Sequence, residues 1–223
     1  MTYILHLETA TKVCSVALSA DGTLIQLAEI ADDQYAHGEQ LTLLIDQVLK
    51  AADLKPSDLS AIAVTSGPGS YTGLRIGVST AKGLCYALKI PLIAIDALVS
   101  MAAIAVQKYP NSQVCPMIDA RRMEVFAAIY ASDLSIVKPI SADVLDETTY
   151  EQYGTFVCFG DGAEKMKDLW ENRSIQFDLD LHPSAVGQVT LAYQKYQAQQ
   201  FENVAYFEPF YLKEFYMPTK TKA

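Results

Sequence analysis

Residues 67 to 73 read Gly-Pro-Gly-Ser-Tyr-Thr-Gly, between a short apolar run, Ala61–Ser66, and a stretch of helical period from Thr72 to Leu88. Two glycines and a proline continue neither neighbour, so the block is a loop joining a strand to a helix. Such a loop presents backbone N–H groups at a helix start, a setting that holds phosphate in many folds. Its spacing departs from the familiar grips. No Lys follows Gly73, as GxxxxGK[ST] requires, and Gly67, Gly69 and Gly73 give GxGxxxG, not the dinucleotide GxGxxG. Asp96, ending the next apolar run, stands near the position of a ribose-binding acid. Three readings stay open: glycines required by sterics alone, a worn phosphate loop, and a dinucleotide site.

What precedes the loop narrows the fold. Tyr3–Glu8, Val13–Ser19 and Leu24–Ile30 are β-branched apolar runs, joined by the polar link Thr9–Lys12 and by a turn at Asp21-Gly22. That pattern predicts three antiparallel strands. A dinucleotide fold begins instead with a strand that feeds the glycine turn directly. Leu41, Leu44, Ile45, Val48, Leu49 and Ala52 then keep the spacing of an amphipathic helix, with Gly38 and Glu39 in its first turn. A strand at Leu92–Asp96 and a helix at Ala97–Val106 follow. Near Tyr109-Pro110 a second region opens, with strands at Val114–Asp119 and Glu124–Tyr130. A more polar stretch comes next, then a strand at Phe156–Gly160 and a helix from Ser184. Two α/β halves with similar openings predict a duplicated architecture, divided into residues 1–108 and a degenerate 109–223.

With 51% hydrophobic residues among 223, the chain has material for a buried core and is not a disordered one. Its 17 basic and 26 acidic residues give a net charge of −9 with no basic stripe. Tight autonomous binding to nucleic acid or an anionic membrane is therefore not expected. A complex in which another chain supplies positive charge leaves nucleic acid within reach. No apolar run attains the roughly 18 residues of a membrane span, and the N-terminus has no basic leader. Cys14, Cys85, Cys115 and Cys158 form no CxxC pair and read as core hydrophobes of a cytoplasmic protein.

The reactive side chains form no recognisable constellation. The three histidines, His6, His37 and His182, make no HxxxH or HExxH, so no metal is expected. His37 sits at a helix start, where it caps or docks. Gly77-Val78-Ser79-Thr80-Ala81 resembles a hydrolase elbow, but it lies inside a helical period, which makes Ser79 an ordinary residue. Gly73, Gly77 and Ala81 recur every fourth residue as one bare stripe, and Gly83 adds a further interior glycine. Each interior glycine costs about 0.8–1 kcal/mol relative to alanine, so something must approach closely: the chain's own sheet or helix, or a partner helix. Leu43 falls on the polar face of the preceding helix, among Glu39, Gln40, Asp46 and Gln47. His37, Leu43, Gly73, Gly77 and Ala81 are the interface candidates. Nine aromatics between Tyr193 and Tyr216, near Lys213, Lys220 and Lys222, predict a C-terminal segment pinned to the body.

Several blocks carry a resemblance. Residues 4–11 (ILHLETAT), Ser15-Val16-Ala17-Leu18 and residues 66–77 (SGPGSYTGLRIG) resemble the TsaB/YeaZ family. So do Asp119-Ala120-Arg121-Arg122, Glu124-Val125-Phe126 and Pro209-Phe210-Tyr211-Leu212-Lys213. The resemblance implies an α/β, actin/sugar-kinase/Hsp70-like (ribonuclease H-like) fold of duplicated subdomains with mixed β-sheets and flanking helices. It implies a non-catalytic subunit of the bacterial complex that transfers a threonylcarbamoyl group to the tRNA adenosine beside the anticodon. A TsaD-like catalytic subunit and a TsaE-like ATPase are the implied partners, with tRNA met only through the complex and a homodimer when the partner is missing. No cofactor is implied; Glu8, Thr9, Gly67, Gly69 and Gly73 are what a worn phosphate loop would use. The metal-binding HxxxH of TsaD chains has no counterpart here, since Met101 to Tyr109 contains no histidine. Glu8 replaces the family's usual Asp, and Lys213 replaces its usual Arg, losing a planar fork. The alternative is a self-sufficient small ATPase or phosphotransferase of the same fold.

Overall fold

The structure, a computed structural model, describes residues 1–31 and 37–213. The first three strands are β1 (Tyr3–Glu8), β2 (Val13–Ala20) and β3 (Thr23–Ala31), each antiparallel to the one before. Asp21 and Gly22 take positive φ in the turn between β2 and β3, as the Asp-Gly pair predicts. Helix α1 (His37–Ala51) leads to β4 (Ala61–Gly67), which pairs parallel with β1. Helix α2 (Tyr71–Leu88) then crosses to β5 (Leu92–Asp96), parallel to β4. The sheet order is β3-β2-β1-β4-β5.

Helix α3 (Ala97–Lys108) carries the chain to β6 (Val114–Asp119), β7 (Glu124–Tyr130) and β8 (Ile136–Val144), again antiparallel neighbours. The short strands β9 (Val157–Phe159) and β10 (Gln176–Asp178) add parallel to them, giving the order β10-β9-β6-β7-β8. Taken from its other edge, this sheet repeats the first: three antiparallel strands, then two parallel. The duplication lies in the topology.

β8 falls in the stretch read from the sequence as more polar chain, and β10 falls between Gly160 and Ser184, where the sequence predicts no element. β8 is an edge strand interrupted by Pro139, and its buried Lys138 meets Asp143 at 2.7 Å, so its apolar alternation is broken. The helix expected from Ser184 begins as a short 3-10 turn at Ala185–Gln188 and becomes α4 only at Val189–Gln197.

Four layers of side chains fill the molecule. Leu41, Leu44 and Val48 of α1 and Val78, Ala81 and Cys85 of α2 cover one face of the first sheet, over Leu5, Leu7, Val16 and Val64. On the opposite face Ala192 of α4 meets Ile4, Ala61, Ala63, Ile93 and Ile95. Leu98, Met101, Ala102 and Ala105 of α3 pack on Ile118, Phe126, Ala128 and Phe159 of the second sheet. That sheet's far face closes over Trp170, Tyr150 and Phe156. The expected division at 108/109 is thus crossed in both directions: α3, from the first half, covers the second sheet, and α4, from the second half, covers the first.

Beyond α4 the chain returns across the first half as far as Phe210, and Tyr211, Leu212 and Lys213 then reach the second. Glu202 N donates to Leu92 O at 2.9 Å, Phe207 packs on the α1/α2 core, and Phe210 N donates to Ser66 O at 2.7 Å. Tyr211 stacks on Tyr71 with ring centroids 4.7 Å apart. Phe207 and Tyr211 pin this segment down, as the sequence predicts, whereas Phe201, Tyr206 and Phe210 have exposed rings. Phe215, Tyr216, Lys220 and Lys222 lie outside the described residues.

Candidate functional site

The β1–β2 turn and the glycine loop come together at the end of the first sheet, where β1 and β4 lie side by side. This is where an open phosphate grip would have to form, because β1 ends at Glu8 and β4 ends at Gly67. The two pieces touch instead. Ser70 N donates to Ala10 O at 2.6 Å, and a Cβ on Gly69 would overlap that same carbonyl. Gly67 takes φ +122°, and a Cβ there would overlap Phe210 O of the C-terminal segment. The Ser70 hydroxyl caps α2 by accepting from Gly73 N at 3.3 Å, using a donor that an anion would need. At these glycines the chain packs closely on itself.

Glu8 is buried behind this contact. Its Oε1 accepts from Ala10 N at 2.7 Å and its Oε2 from the Thr65 hydroxyl. Gln188 closes the far side, donating Nε2 to Thr65 Oγ1 at 2.8 Å and to Leu7 O at 2.9 Å. Burial pushes the Glu8 carboxyl above the ordinary carboxylate range, while bonds from Thr65, Ala10, Gln188 and Thr9 pull the other way. Thr9 is buried too, and its hydroxyl donates to Gly73 O at 2.9 Å. Neither Thr65 nor Gln188 stood out in the sequence as a site residue. A hydroxyl inside the apolar run Ala61–Ser66 was a signal for Thr65; Gln188 had none.

The bare stripe of α2 is corrected by the same contact. Gly73, Gly77 and Ala81 are buried, and a Cβ on Gly77 would overlap Thr9 Oγ1. The close approach that glycine permits is to the chain's own β1 end, so these three residues do not lie open to a partner helix. The outer face of α2 is a different set: Ser79, Gly83, Tyr86 and Ala87 are exposed. Tyr86 is 83% exposed, and nothing lies within 4 Å of where a Cβ on Gly83 would sit. On α1, packed beside it, Leu43 is 61% exposed. The side chain of His37, at the start of α1, lies outside the described residues.

Other expected features fall as follows. Ser79 is a solvent-facing residue of α2. Asp96 sits at the start of α3, where its Oδ1 accepts from Leu98 N at 2.8 Å and Val99 N at 3.1 Å. It caps a helix of its own chain where a ribose acid would have faced a ligand. Cys14, Cys85, Cys115 and Cys158 are free and buried. Lys213 pairs with Glu124 of the second sheet. Among the described residues no three His, Cys, Asp or Glu side chains come together as a metal site, and no helix is long and apolar enough to cross a membrane.

The protein-family model for TsaD, tRNA N6-adenosine threonylcarbamoyltransferase, matches residues 28–220. The Escherichia coli (strain K12) tRNA threonylcarbamoyladenosine biosynthesis protein TsaB is 31% identical over 222 residues, 94% of each chain. The chain belongs to the TsaB/YeaZ family. A Bacillus subtilis (strain 168) protein of the same name is 34% identical over 141 residues, 63% of this chain and 60% of that one. The solved structure of YeaZ from Pseudomonas aeruginosa superposes with a TM-score of 0.81 at 25% identity, covering 95% of this chain and 100% of that chain. The two repeated sheets are therefore the duplicated actin-like fold of the TsaB/YeaZ family.

Proposed function

We propose that this chain serves tRNA threonylcarbamoyladenosine formation as a non-catalytic subunit, pairing with a TsaD-like catalytic subunit through the outer face of α1 and α2. The observation that carries this reading is the closure of the phosphate-grip counterpart: Glu8 and Thr9 are buried, and the glycine loop packs on Ala10 and Phe210. A phosphotransferase of this fold needs an ionised carboxylate facing an open, metal-assisted phosphate site. Here the carboxyl at that place is buried, and both its oxygens are taken by the chain's own donors, Ala10 N and the Thr65 hydroxyl. The family's tRNA chemistry then falls to the partner, a TsaE-like ATPase joins the complex, and tRNA is met within it.

The outer face suits helix-on-helix docking. Leu43 and Tyr86 supply apolar area, and Ser79, Gly83 and Ala87 leave room for a facing backbone. A two-fold contact would reuse the same patch for a homodimer when the partner is missing. Reconstitution of tRNA modification with and without this chain tests the reading, and the expected result is modification only when it is present. Leu43→Glu should weaken partner affinity in calorimetry at least tenfold with the melting temperature unchanged, since it places an unpaired charge in a dry contact. Wild-type affinity would make Leu43 a plain surface residue. ATP turnover by the isolated chain, abolished by Glu8→Ala, would replace this reading with that of a small phosphotransferase.

A further inference from the structure

The turn between β6 and β7 holds two consecutive arginines in a backbone conformation that disfavours them. Arg121 has φ 74° and Arg122 has φ 51°, the left-handed region that glycine and asparagine occupy most readily. The turn is closed on both sides, by Ala120 N donating to Glu124 O and Glu124 N donating to Arg121 O, each at 3.1 Å. Both side chains are exposed, and neither guanidinium engages another described residue. Folding alone favours Asn or Gly at this tip, so its two arginines stand against the local preference.

The surroundings make their isolation informative. Three carboxylates lie at the same tip; Asp119 Oδ1 accepts from the Arg121 backbone N at 2.5 Å, and none of the three pairs with an arginine side chain. Asp119 takes Lys165 at 2.6 Å, Glu124 takes Lys213, and Asp161 accepts from Asp119 N at 2.9 Å while attracting Lys12 of the β1–β2 turn. Five cations, Lys12, Arg121, Arg122, Lys165 and Lys213, thus face three acids, on a chain whose net charge is −9. A local excess of positive charge with two solvated planar forks is the recognition chemistry of phosphate oxygens. Exposed Met123 and Val144 lie beside this tip, and Leu169 lines the same hollow as Met123, so a contact with protein is the outcome that the test must separate from a phosphate contact.

We infer that the Arg121–Arg122 tip is a docking point for the phosphate backbone of a nucleic acid, used when the chain is assembled with its partner. This rests on the tRNA-modification reading above and names where this subunit would touch the tRNA. The contact adds to binding that the partner supplies, which reconciles it with the acidity of the chain as a whole.

The test uses the reconstituted complex with the TsaD-like partner and an unmodified tRNA transcript, with affinity followed across a salt titration. Each phosphate contact contributes about 0.7–0.9 to the slope of log affinity against log salt. The double variant Arg121→Asn/Arg122→Gly suits the turn, so its melting temperature should equal or exceed that of the wild type. It should lower the slope by about 1.5 and weaken tRNA binding about tenfold, with partner affinity in calorimetry unchanged. Arg121→Lys/Arg122→Lys should restore the slope, because the charge returns. A slope and affinity equal to wild type overturn the inference. Partner affinity lost in the Asn/Gly variant overturns it as well, because the arginines would then contact protein. The wild-type arm reads the parent proposal separately: a wild-type complex that binds no tRNA sinks both, and one that binds it while the variant binds equally sinks this inference alone.

Discussion

His6 and Asp96 titrate in opposite senses inside the same half of the molecule. His6 is fully buried, with Nε2 on Ser19 Oγ at 2.8 Å and Nδ1 without a partner among the described residues, and burial lowers its pKa from 6.5 to about 3. Between those values the unfolded chain binds the proton and the folded one does not, so this group's contribution to stability rises with pH. Burial raises Asp96 from 3.8 to about 6, against the bonds from Val99 and Leu98 and the charge of Lys195. There the folded chain holds the extra proton, so its contribution is full below the lower value and is lost as pH climbs through the upper one. Burial of Glu8 acts in the same direction as Asp96. Asp96→Asn keeps an oxygen to cap α3 and removes one falling limb. Its melting temperature relative to wild type should therefore grow from about pH 4 to about pH 7. Thermal melts across that range check it, and a difference that stays flat with pH would refute the assignment. Asp96 also shows what one side chain's sequence position conceals: an acid after a strand reads as a ligand group until the helix it caps is seen.

Helix α2 separates the two uses of glycine along one element. Gly77 faces Thr9, so Gly77→Ala forces that hydroxyl off Gly73 O and should destabilise by about 1–3 kcal/mol. Gly83 faces open space, so Gly83→Ala should instead stabilise by about 0.5–1 kcal/mol through reduced backbone entropy of the unfolded chain. Urea unfolding of both variants measures the pair, and equal effects of the same sign would show that the helix phase described here is wrong. The helix itself was legible from its period, as were β1, β2, β6 and β7 from theirs, because apolar alternation and turn residues are local signals. β8 and β10 were not. A buried lysine paired with an acid, a proline and a length of three residues in β10 erase the local pattern, and only the neighbouring strands define them.

At the scale of the whole molecule, the C-terminal segment ties the duplicated halves together. Lys82 Nζ donates to Phe207 O at 2.8 Å, Phe210 N donates to Ser66 O, and Lys213 reaches Glu124 of the second sheet. Removing residues 201–223 should cost about 2–4 kcal/mol, from the lost aromatic burial and backbone bonds. It should also raise amide exchange in the loop around Gly67. An unchanged denaturation midpoint would mean that the segment only lies on the surface. The sequence by itself determined the first three strands, β6 and β7, the helices α1, α2 and α3, the tight loop at Gly67 and the family blocks, since each is written within a few consecutive residues. Only the tertiary structure decided which face of α2 turns inward, that α3 and α4 change sides, and that Glu8 is enclosed. The physical reason is distance along the chain: Thr9 meets Gly73 across 64 positions and Leu7 meets Gln188 across 181, and burial is fixed by such partners.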